Sequence, residues 1–163
     1  MKKICIISDS HSYIDENIID YIKNFDEVWH AGDIGSLEVC EKIRPHTLLR
    51  AVYGNIDDYK IRIEYPEFDF FQCEDLKILL THIGGYPRNY TKKGLELIKK
   101  YKPDVFVCGH SHILKVLKDK KFNLIHINPG AIGKHGFHQV RTMITLEIQS
   151  KKISNMNVVE FKR

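Results

Sequence analysis

Several apolar segments of the chain end in short polar clusters whose side chains are typical metal ligands. The clusters are Asp9-Ser10-His11, Gly32-Asp33, Gly54-Asn55-Ile56-Asp57, Thr81-His82 and Gly109-His110-Ser111-His112. Taken singly, most have an ordinary explanation, because Asp, Asn and Gly are common in turns. Two histidines two positions apart, directly after an apolar segment, are harder to explain that way. The joint occurrence of two aspartates, an asparagine and four histidines at five segment ends predicts a metal site.

The mixture of ligand types indicates which ions and which chemistry such a site would support. Imidazole and carboxylate together suit borderline divalent ions. We expect manganese, with nickel, iron, zinc and magnesium as open alternatives. Two divalent ions about 3.5–4 Å apart can clamp a phosphoryl group and lower the pKa of a water between them. A shared carboxylate would be the natural bridge, and the neutral amide of Asn55 would limit negative charge that repels a phosphate.

The order of predicted elements explains how residues so far apart in sequence can meet. Apolar strands alternate with segments of helical spacing over the first two-thirds of the chain, and a run of strands follows. Helices are predicted at 14–25 (capped by Ser12), 37–44 and 91–101, and strands at 4–8, 27–30, 48–53, 68–73, 78–81, 105–108, 113–118, 122–127, 140–149 and 152–160. In an open α/β sheet, ligands bind beyond the carboxyl ends of the strands. We therefore predict a single α/β domain over residues 1–163, with packed sheets and helices outside.

Composition and charge narrow the function classes. Hydrophobic residues make up 43% and charged residues 28% of the chain, as in an ordinary globular protein. The formal net charge of +4 favours anionic substrates but is too small to indicate a nucleic-acid partner. The four cysteines are far apart in sequence, which argues against a structural zinc site or a disulfide framework. No apolar run is long enough for a membrane span, so we expect a cytoplasmic protein without a membrane partner.

The ordered set of motifs resembles a known family. Asp9-x-His11, Gly32-Asp33, Gly54-Asn55, His82 and Gly109-His110-x-His112 are similar, in this order, to the motifs of the calcineurin-like metallophosphoesterase superfamily. The short chain and its segment 128–130 look like the small YfcE-like branch of phosphodiesterases. The resemblance covers essentially the whole chain. It implies a two-sheet αββα sandwich with a dinuclear metal centre at the strand ends.

The resemblance also implies roles for individual residues. Asp33 would bridge two ions, and a hydroxide shared by the ions would attack phosphorus in line. The other ligands would be Asp9, His11 and His112 on the first ion and Asn55, His82 and His110 on the second. The candidate catalytic residues are Asp33, Asn55, His82 and Asp57.

One departure from the family pattern bears on the reaction. Many members have a histidine directly after the metal-binding asparagine, and this histidine helps to protonate the leaving group. Here that position is Ile56. Without a strong general acid, a factor of roughly 10²–10⁴ is missing for poor leaving groups. We therefore expect a phosphodiesterase that turns over activated phosphodiesters better than alkyl phosphomonoesters.

The sequence is compatible with more than one role for several residues and with more than one function. Asp57 would either orient a ligand or form a plain turn, and His30 would either support the site or pack in its strand. His135, His138 and Arg141 lie near the expected site. Arg141 would either clamp a phosphate oxygen or form an exposed salt bridge, which is favoured, and the two histidines have no assigned role. The rival functions are a non-catalytic scaffold on the same fold, as in the retromer subunit, and a metal-dependent nuclease, which the lack of a concentrated basic stripe disfavours. The expected partner is a small phosphate ester, with nucleotide-derived esters and a homodimer as further options.

Overall fold

The computed structural model describes residues 1–163, which form two five-stranded sheets, a short two-stranded ribbon and four helices. In chain order the elements are β1 (Lys2–Ile7), α1 (Glu16–Ile22), β2 (Glu27–His30), α2 (Leu37–Ile43), β3 (Leu48–Ala51), α3 (Tyr59–Glu64), β4 (Phe68–Cys73), β5 (Leu76–Thr81), β6 (Gly85–Tyr86), β7 (Asn89–Tyr90), α4 (Lys92–Tyr101), β8 (Val105–Val107), β9 (Lys115–Asp119), β10 (Leu124–Asn128), β11 (Val140–Gln149) and β12 (Lys152–Lys162). None of the helices is long and apolar enough to cross a lipid bilayer.

The first sheet has the strand order β12-β11-β1-β2-β3. Its strands β1, β2 and β3 are mutually parallel, and β11 pairs antiparallel with β1. Because parallel strands end at the same edge of a sheet, the loops that follow Ile7, His30 and Ala51 emerge side by side. These loops carry the polar clusters that begin at Asp9, Gly32 and Gly54.

The second sheet has the strand order β4-β5-β8-β10-β9. Its central strands β5, β8 and β10 are parallel, and the edge strands β4 and β9 are antiparallel to their neighbours. The loops that follow Thr81, Val107 and Asn128 therefore also share one edge. Two of these loops carry the histidines at 82, 110 and 112.

Alternating apolar side chains divide the core into three layers. Ile4 and Ile6 of β1 belong to the cluster between the two sheets, whereas Cys5 and Ile7 belong to the cluster that includes α1 and α2. On the other side of the molecule, Phe106 of β8 packs in the cluster that includes α4. The resulting order of layers is helix, sheet, sheet, helix, which confirms the predicted αββα sandwich.

Local structure differs from the sequence expectation at the start of α1. Ser12 has a left-handed backbone with φ of 67°, and a helix N-cap residue is normally extended. Asp15 is the N-cap instead, since its backbone is extended and its side chain accepts a hydrogen bond from the N–H group of Ile18. In addition, α3 and the β6–β7 ribbon lie outside the predicted elements.

Candidate metal centre

Three side chains at the sheet edge form a first cluster of possible metal ligands. The ligand atoms of Asp9, His11 and His112 all lie within 4.8 Å of one another. Nε2 of His112 is 3.2 Å and Nε2 of His11 is 4.0 Å from Oδ1 of Asp9. Asp9 is fully buried and the two histidines are partly exposed. The carboxylate therefore forms the base of the cluster and the two rings its walls.

A second cluster lies beside the first. The ligand atoms of Asp33, His82 and His110 are also within 4.8 Å of one another. Nε2 of His82 is 3.2 Å from Oδ1 of Asp33 and 3.1 Å from Oδ1 of Asn55. The structure thus brings all seven predicted ligands together.

The carboxylate of Asp33 faces both clusters. Its Oδ2 atom is 3.6 Å from Nε2 of His11 in the first cluster. Its Oδ1 atom faces His82 in the second cluster and also accepts a hydrogen bond of 3.1 Å from the N–H group of Ile56. The two oxygens of one side chain are therefore divided between the two ligand sets.

Two buried atoms of the first cluster test whether these residues fit a metal. Oδ1 of Asp9 and Nε2 of His11 have no hydrogen-bond partner. Leaving a buried polar atom unsatisfied costs about 1–3 kcal/mol, so such pairs are rare without a function. A divalent cation would satisfy both atoms, and imidazole with carboxylate is a suitable donor set for it. The residues present fit a metal centre.

The backbone at the site is held in an uncommon conformation. The φ angles lie between 45° and 69° in five ligand residues, namely Asp9, His11, Asp33, His110 and His112. Non-glycine residues in the left-handed region cost on the order of 1–3 kcal/mol each and cluster at functional sites. Close packing accompanies this conformation, because a Cβ atom on Gly54 would collide with the carboxylate of Asp33. The chain bends sharply at the points where it presents the ligands.

The residues around His82 favour a bound cation or proton at its Nε2 atom. Nδ1 lies 2.7 Å from the main-chain oxygen of Ala31. In the neutral ring Nδ1 therefore carries the proton, and the lone pair of Nε2 is free to bind a cation. Burial acts to lower the pKa of His82, but the hydrogen bond to Asp33 and the charges of Asp9 and Asp33 outweigh it, so the pKa is raised.

Asp33 is a carboxylate at neutral pH despite its burial. Burial acts to raise its pKa, but the hydrogen bond and charge of His82 and the N–H group of Ile56 outweigh that effect. The net result is a pKa below the usual range. Both oxygens can therefore act as anionic ligands.

Asp57 contacts the ligand loops through their backbone. Its carboxylate accepts hydrogen bonds from the N–H groups of Ile34 at 3.0 Å, Gly35 at 2.7 Å and Gly54 at 2.7 Å. These groups belong to the loops that carry Asp33 and Asn55. Asp57 thus holds two ligand loops together and makes no direct hydrogen bond to a ligand side chain. Its part in catalysis stays a prediction.

Two further buried side chains form hydrogen bonds with the loops that carry the ligands. The ring of His30 lies 2.8 Å from the hydroxyl of Ser10 and accepts a hydrogen bond from the N–H group of Gly32. Burial lowers the pKa of His30 to about 4, so the ring is neutral at pH 7. Asn128 donates a hydrogen bond of 3.1 Å to the hydroxyl of Ser111. His30 therefore fits both interpretations, because it packs in its strand and also supports the loops beside the site.

The loop that contains His135 and His138 lies against the first cluster. The ring centre of His135 is 4.7 Å from that of His11, and the ring centre of His138 is 5.3 Å from that of His112. Arg141 has a different position, because its guanidinium is buried and donates to the carboxylate of Asp15 at 3.0 Å. The expected exposed salt bridge is thus a largely buried one.

Two adjoining cavities give access to the clusters. The larger, of about 540 Å³, is lined by ligand histidines together with exposed Ile56 and Phe137. The smaller, of about 380 Å³, adjoins Asn55 and includes Arg62. Sequence reasoning missed Arg62. Asp58 could have indicated the helix that carries Arg62, because it is the N-cap of that helix, but it does not indicate that Arg62 lies beside the site.

Comparison with known proteins places these features in a family. The model of the calcineurin-like phosphoesterase superfamily domain matches residues 1–151. A probable metallophosphoesterase of Mycoplasma pneumoniae is 30% identical over 162 residues, which is 96% of each chain. A probable metallophosphoesterase of Methanothermobacter thermautotrophicus is 30% identical over 135 residues, which is 78% of this chain and 76% of the relative. Among solved structures, wild-type Vps29 of Entamoeba histolytica complexed with zinc has a TM-score of 0.75 at 17% identity and 98% coverage of both chains, a likeness of fold alone.

Proposed function

The chain belongs to the calcineurin-like phosphoesterase superfamily, and on this basis we propose that it is a metal-dependent phosphodiesterase with two divalent ions in its active site. Family membership and the probable metallophosphoesterases among its relatives support phosphoester hydrolysis. The preference for diesters, the presence of two ions and manganese as the native metal are parts of the proposal.

The division of the Asp33 carboxylate between the two clusters is the observation that carries this proposal. A single-ion site needs no carboxylate with one oxygen near His11 of the first cluster and the other near His82 of the second. In two-metal phosphoryl-transfer sites the ions lie about 3.5–4 Å apart, and a carboxylate with one oxygen toward each ligand set would serve such a pair. The first ion would be held by Asp9, His11 and His112, and the second by Asn55, His82 and His110.

The residues of this chain would prepare the site for that chemistry. When bound, the ions would supply an activated water and neutralise charge on the phosphoryl oxygens. Asp33 would fix their separation, and Asp57 would hold the loops of Asp33 and Asn55 in register. His82 is fixed in one tautomer by the carbonyl of Ala31. The ligand geometry would thus be largely set before the substrate binds.

Ile56 sets the expected substrate preference. Its side chain is 47% exposed and lines the larger cavity directly after Asn55. An alkyl side chain cannot protonate a leaving group, so esters with poor leaving groups lose a factor of roughly 10²–10⁴. We therefore expect turnover to fall from aryl phosphodiesters to alkyl phosphomonoesters.

A substrate panel with reconstituted protein tests the proposal. Metal-free chain is loaded with Mn²⁺, Ni²⁺, Fe²⁺, Zn²⁺ or Mg²⁺ and assayed with an aryl diester, an aryl monoester and an alkyl monoester. Two ions per chain and fastest turnover of the aryl diester are expected. A preference for the alkyl monoester, or full activity with one ion per chain, would overturn the proposal.

Turnover is the measurement that distinguishes the proposed enzyme from a non-catalytic scaffold. A Vps29 of this fold is described as complexed with zinc, so metal binding alone does not separate an enzyme from a scaffold. Hydrolysis that disappears when Asp33 is replaced does separate them. Ion binding without hydrolysis of any ester would favour the scaffold.

A further inference from the structure

The smaller cavity beside the second cluster has a lining unlike that of the metal site. Asn55 and His82 lie at its junction with the ligand cluster. Its other polar lining residues are Tyr53, Arg62, Glu67, Thr81, Thr91 and Lys93. Its volume of about 380 Å³ falls within the range of roughly 300–1,000 Å³ typical of small-molecule sites. The cavity can hold a substantial part of a substrate.

Arg62 leaves the cavity with an uncompensated positive charge. Lys93 is neutralised by an ion pair with Glu67. Arg62 makes no ion pair, and its hydrogen bonds go to the main-chain oxygens of Asp57 at 2.7 Å and Asn55 at 3.3 Å. Neutral carbonyl groups orient a guanidinium without cancelling its charge. The charge of Arg62 is therefore available to an anion.

The guanidinium of Arg62 is also ordered in advance. Besides its contacts with carbonyl groups, it lies over the ring of Tyr53 at 4.7 Å from the ring centre. Its Nη1 atom has no hydrogen-bond partner within the chain. Nη1 is therefore the donor that the guanidinium offers to an anion, and because the group is already held in place, less entropy is lost when the anion binds.

We propose that this cavity is a second anion subsite, in which Arg62 binds a phosphate group that the substrate carries beyond the scissile phosphoryl group. The inference rests on the proposed function for the identity of the neighbouring site. Because Arg62 contacts the main chain of Asn55, the second phosphate would lie close to the reacting one. The substrate class is then a compact ester with two phosphate groups, and a simple monoanionic diester would leave the subsite unused.

Calorimetry with bisphosphates tests the subsite directly. The full chain, reconstituted with Mn²⁺, is titrated with alkane-α,ω-diyl bisphosphates of two to six carbons and with the matched alkyl monophosphates. At the best-fitting length the bisphosphate should bind at least roughly tenfold more tightly, the effect of one charge-assisted hydrogen bond. Arg62→Gln should reduce this ratio to about the statistical factor of two. Lys60→Gln, on the same helix but outside the lining of this cavity, should retain it.

The ratio of bisphosphate affinity to monophosphate affinity distinguishes a subsite from other roles of Arg62. A change that merely disturbs the Asn55 loop, or removes a contact with the scissile phosphate, would weaken monophosphates and bisphosphates equally, and that result would overturn the inference. So would a wild-type chain without preference at any chain length. If Arg62→Gln does not fold, Arg62→Lys should lower the ratio at least about threefold, because an ammonium lacks the planar guanidinium that the carbonyl groups hold in place.

The two proposals fail in different ways. Hydrolysis of bis(p-nitrophenyl) phosphate by the same preparations tests the phosphodiesterase and does not require the subsite. Absent turnover with a preserved bisphosphate preference would reject the enzyme and keep the subsite. Turnover without that preference would reject the subsite and keep the enzyme.

Discussion

At the scale of single residues, Asp33 is the side chain whose charge matters to both ligand sets. Its pKa is lowered although the side chain is buried, because His82 and the backbone stabilise the anion. His11 of the first cluster and His82 of the second both face this carboxylate. Removing the charge should therefore disturb both ions at once.

Replacing Asp33 with asparagine should abolish two-ion binding. The amide keeps the size of the side chain but loses the second anionic oxygen. We expect metal content to fall below two ions per chain and turnover to drop by more than the roughly 10–100-fold that loss of a supporting residue costs. Metal analysis and kcat for an aryl diester are the measurements. Asp20→Asn, at an exposed aspartate, is the matched control, and unchanged metal content in Asp33→Asn would contradict the bridging role.

Asp57 allows a sharper comparison with its neighbour. Asp57→Asn leaves at least one loop N–H group without an acceptor, so we expect about 10–100-fold weaker metal binding and a loss of about 1–3 kcal/mol in the free energy of unfolding. Asp58→Asn should change neither, because asparagine is an equally good N-cap for α3. Calorimetric metal titration and urea unfolding measure both effects. Equal behaviour of the two variants would show that Asp57 merely forms a turn.

At the scale of elements, the strands explain why the ligands could be found from sequence. Each ligand cluster directly follows a buried apolar run, and parallel strands bring such ends to one edge. Features that depend on loop backbone could not be found in this way. The carboxylate of Asp57 accepts from N–H groups of two loops, and Arg62 donates to carbonyl groups of the loop that precedes its own helix. The spacing of side-chain types contains no signal for such contacts.

The start of α1 is linked to the first sheet by a single ion pair. Asp15 caps the helix and also accepts from buried Arg141 of β11. Burial acts to raise the pKa of Asp15, but the N–H group of Ile18 and the charge of Arg141 outweigh it, so the pKa is lowered. An aspartate whose pKa is lowered on folding stabilises the fold above its unfolded pKa of about 3.9, and this contribution is lost as the pH falls through the folded value.

Asp15→Asn should isolate this electrostatic contribution, because asparagine preserves the cap. We expect a loss of about 1–3 kcal/mol at pH 7, less than for a fully buried pair because Asp15 is partly exposed. The difference from the wild type should shrink below about pH 4, as the wild-type carboxylate takes up a proton. Urea unfolding between pH 7 and pH 3 measures it. A difference that does not change with pH would mean that packing, rather than charge, is the cause.

At the scale of the whole molecule, each ligand cluster draws on both sheets. Asp9 and His11 follow a strand of the first sheet and His112 follows a strand of the second. The second cluster is divided in the same way, since Asp33 follows β2 and His82 follows β5. Bound ions would therefore join the two halves of the sandwich at one edge. Without bound ions, the left-handed ligand residues and the atoms of the first cluster that lack a hydrogen-bond partner destabilise this edge of the fold.

Metal binding should accordingly stabilise the fold as a whole and not merely order the loops. Ions at about 100 times their dissociation constant add about 2.7 kcal/mol per site, and for a chain of this size each kcal/mol raises Tm by about 2–4 °C. We expect Tm to rise with Mn²⁺, to fall again with chelator, and to respond weakly in Asp33→Asn. Hydrogen exchange locates the effect. Ions bound by ligands from both sheets oppose separation of the two sheets, so amide exchange should become slower in both β1 and β8. Slower exchange in the ligand loops alone would contradict this prediction. It would mean that packing between the sheets, without the ions, is enough to stabilise the strained edge.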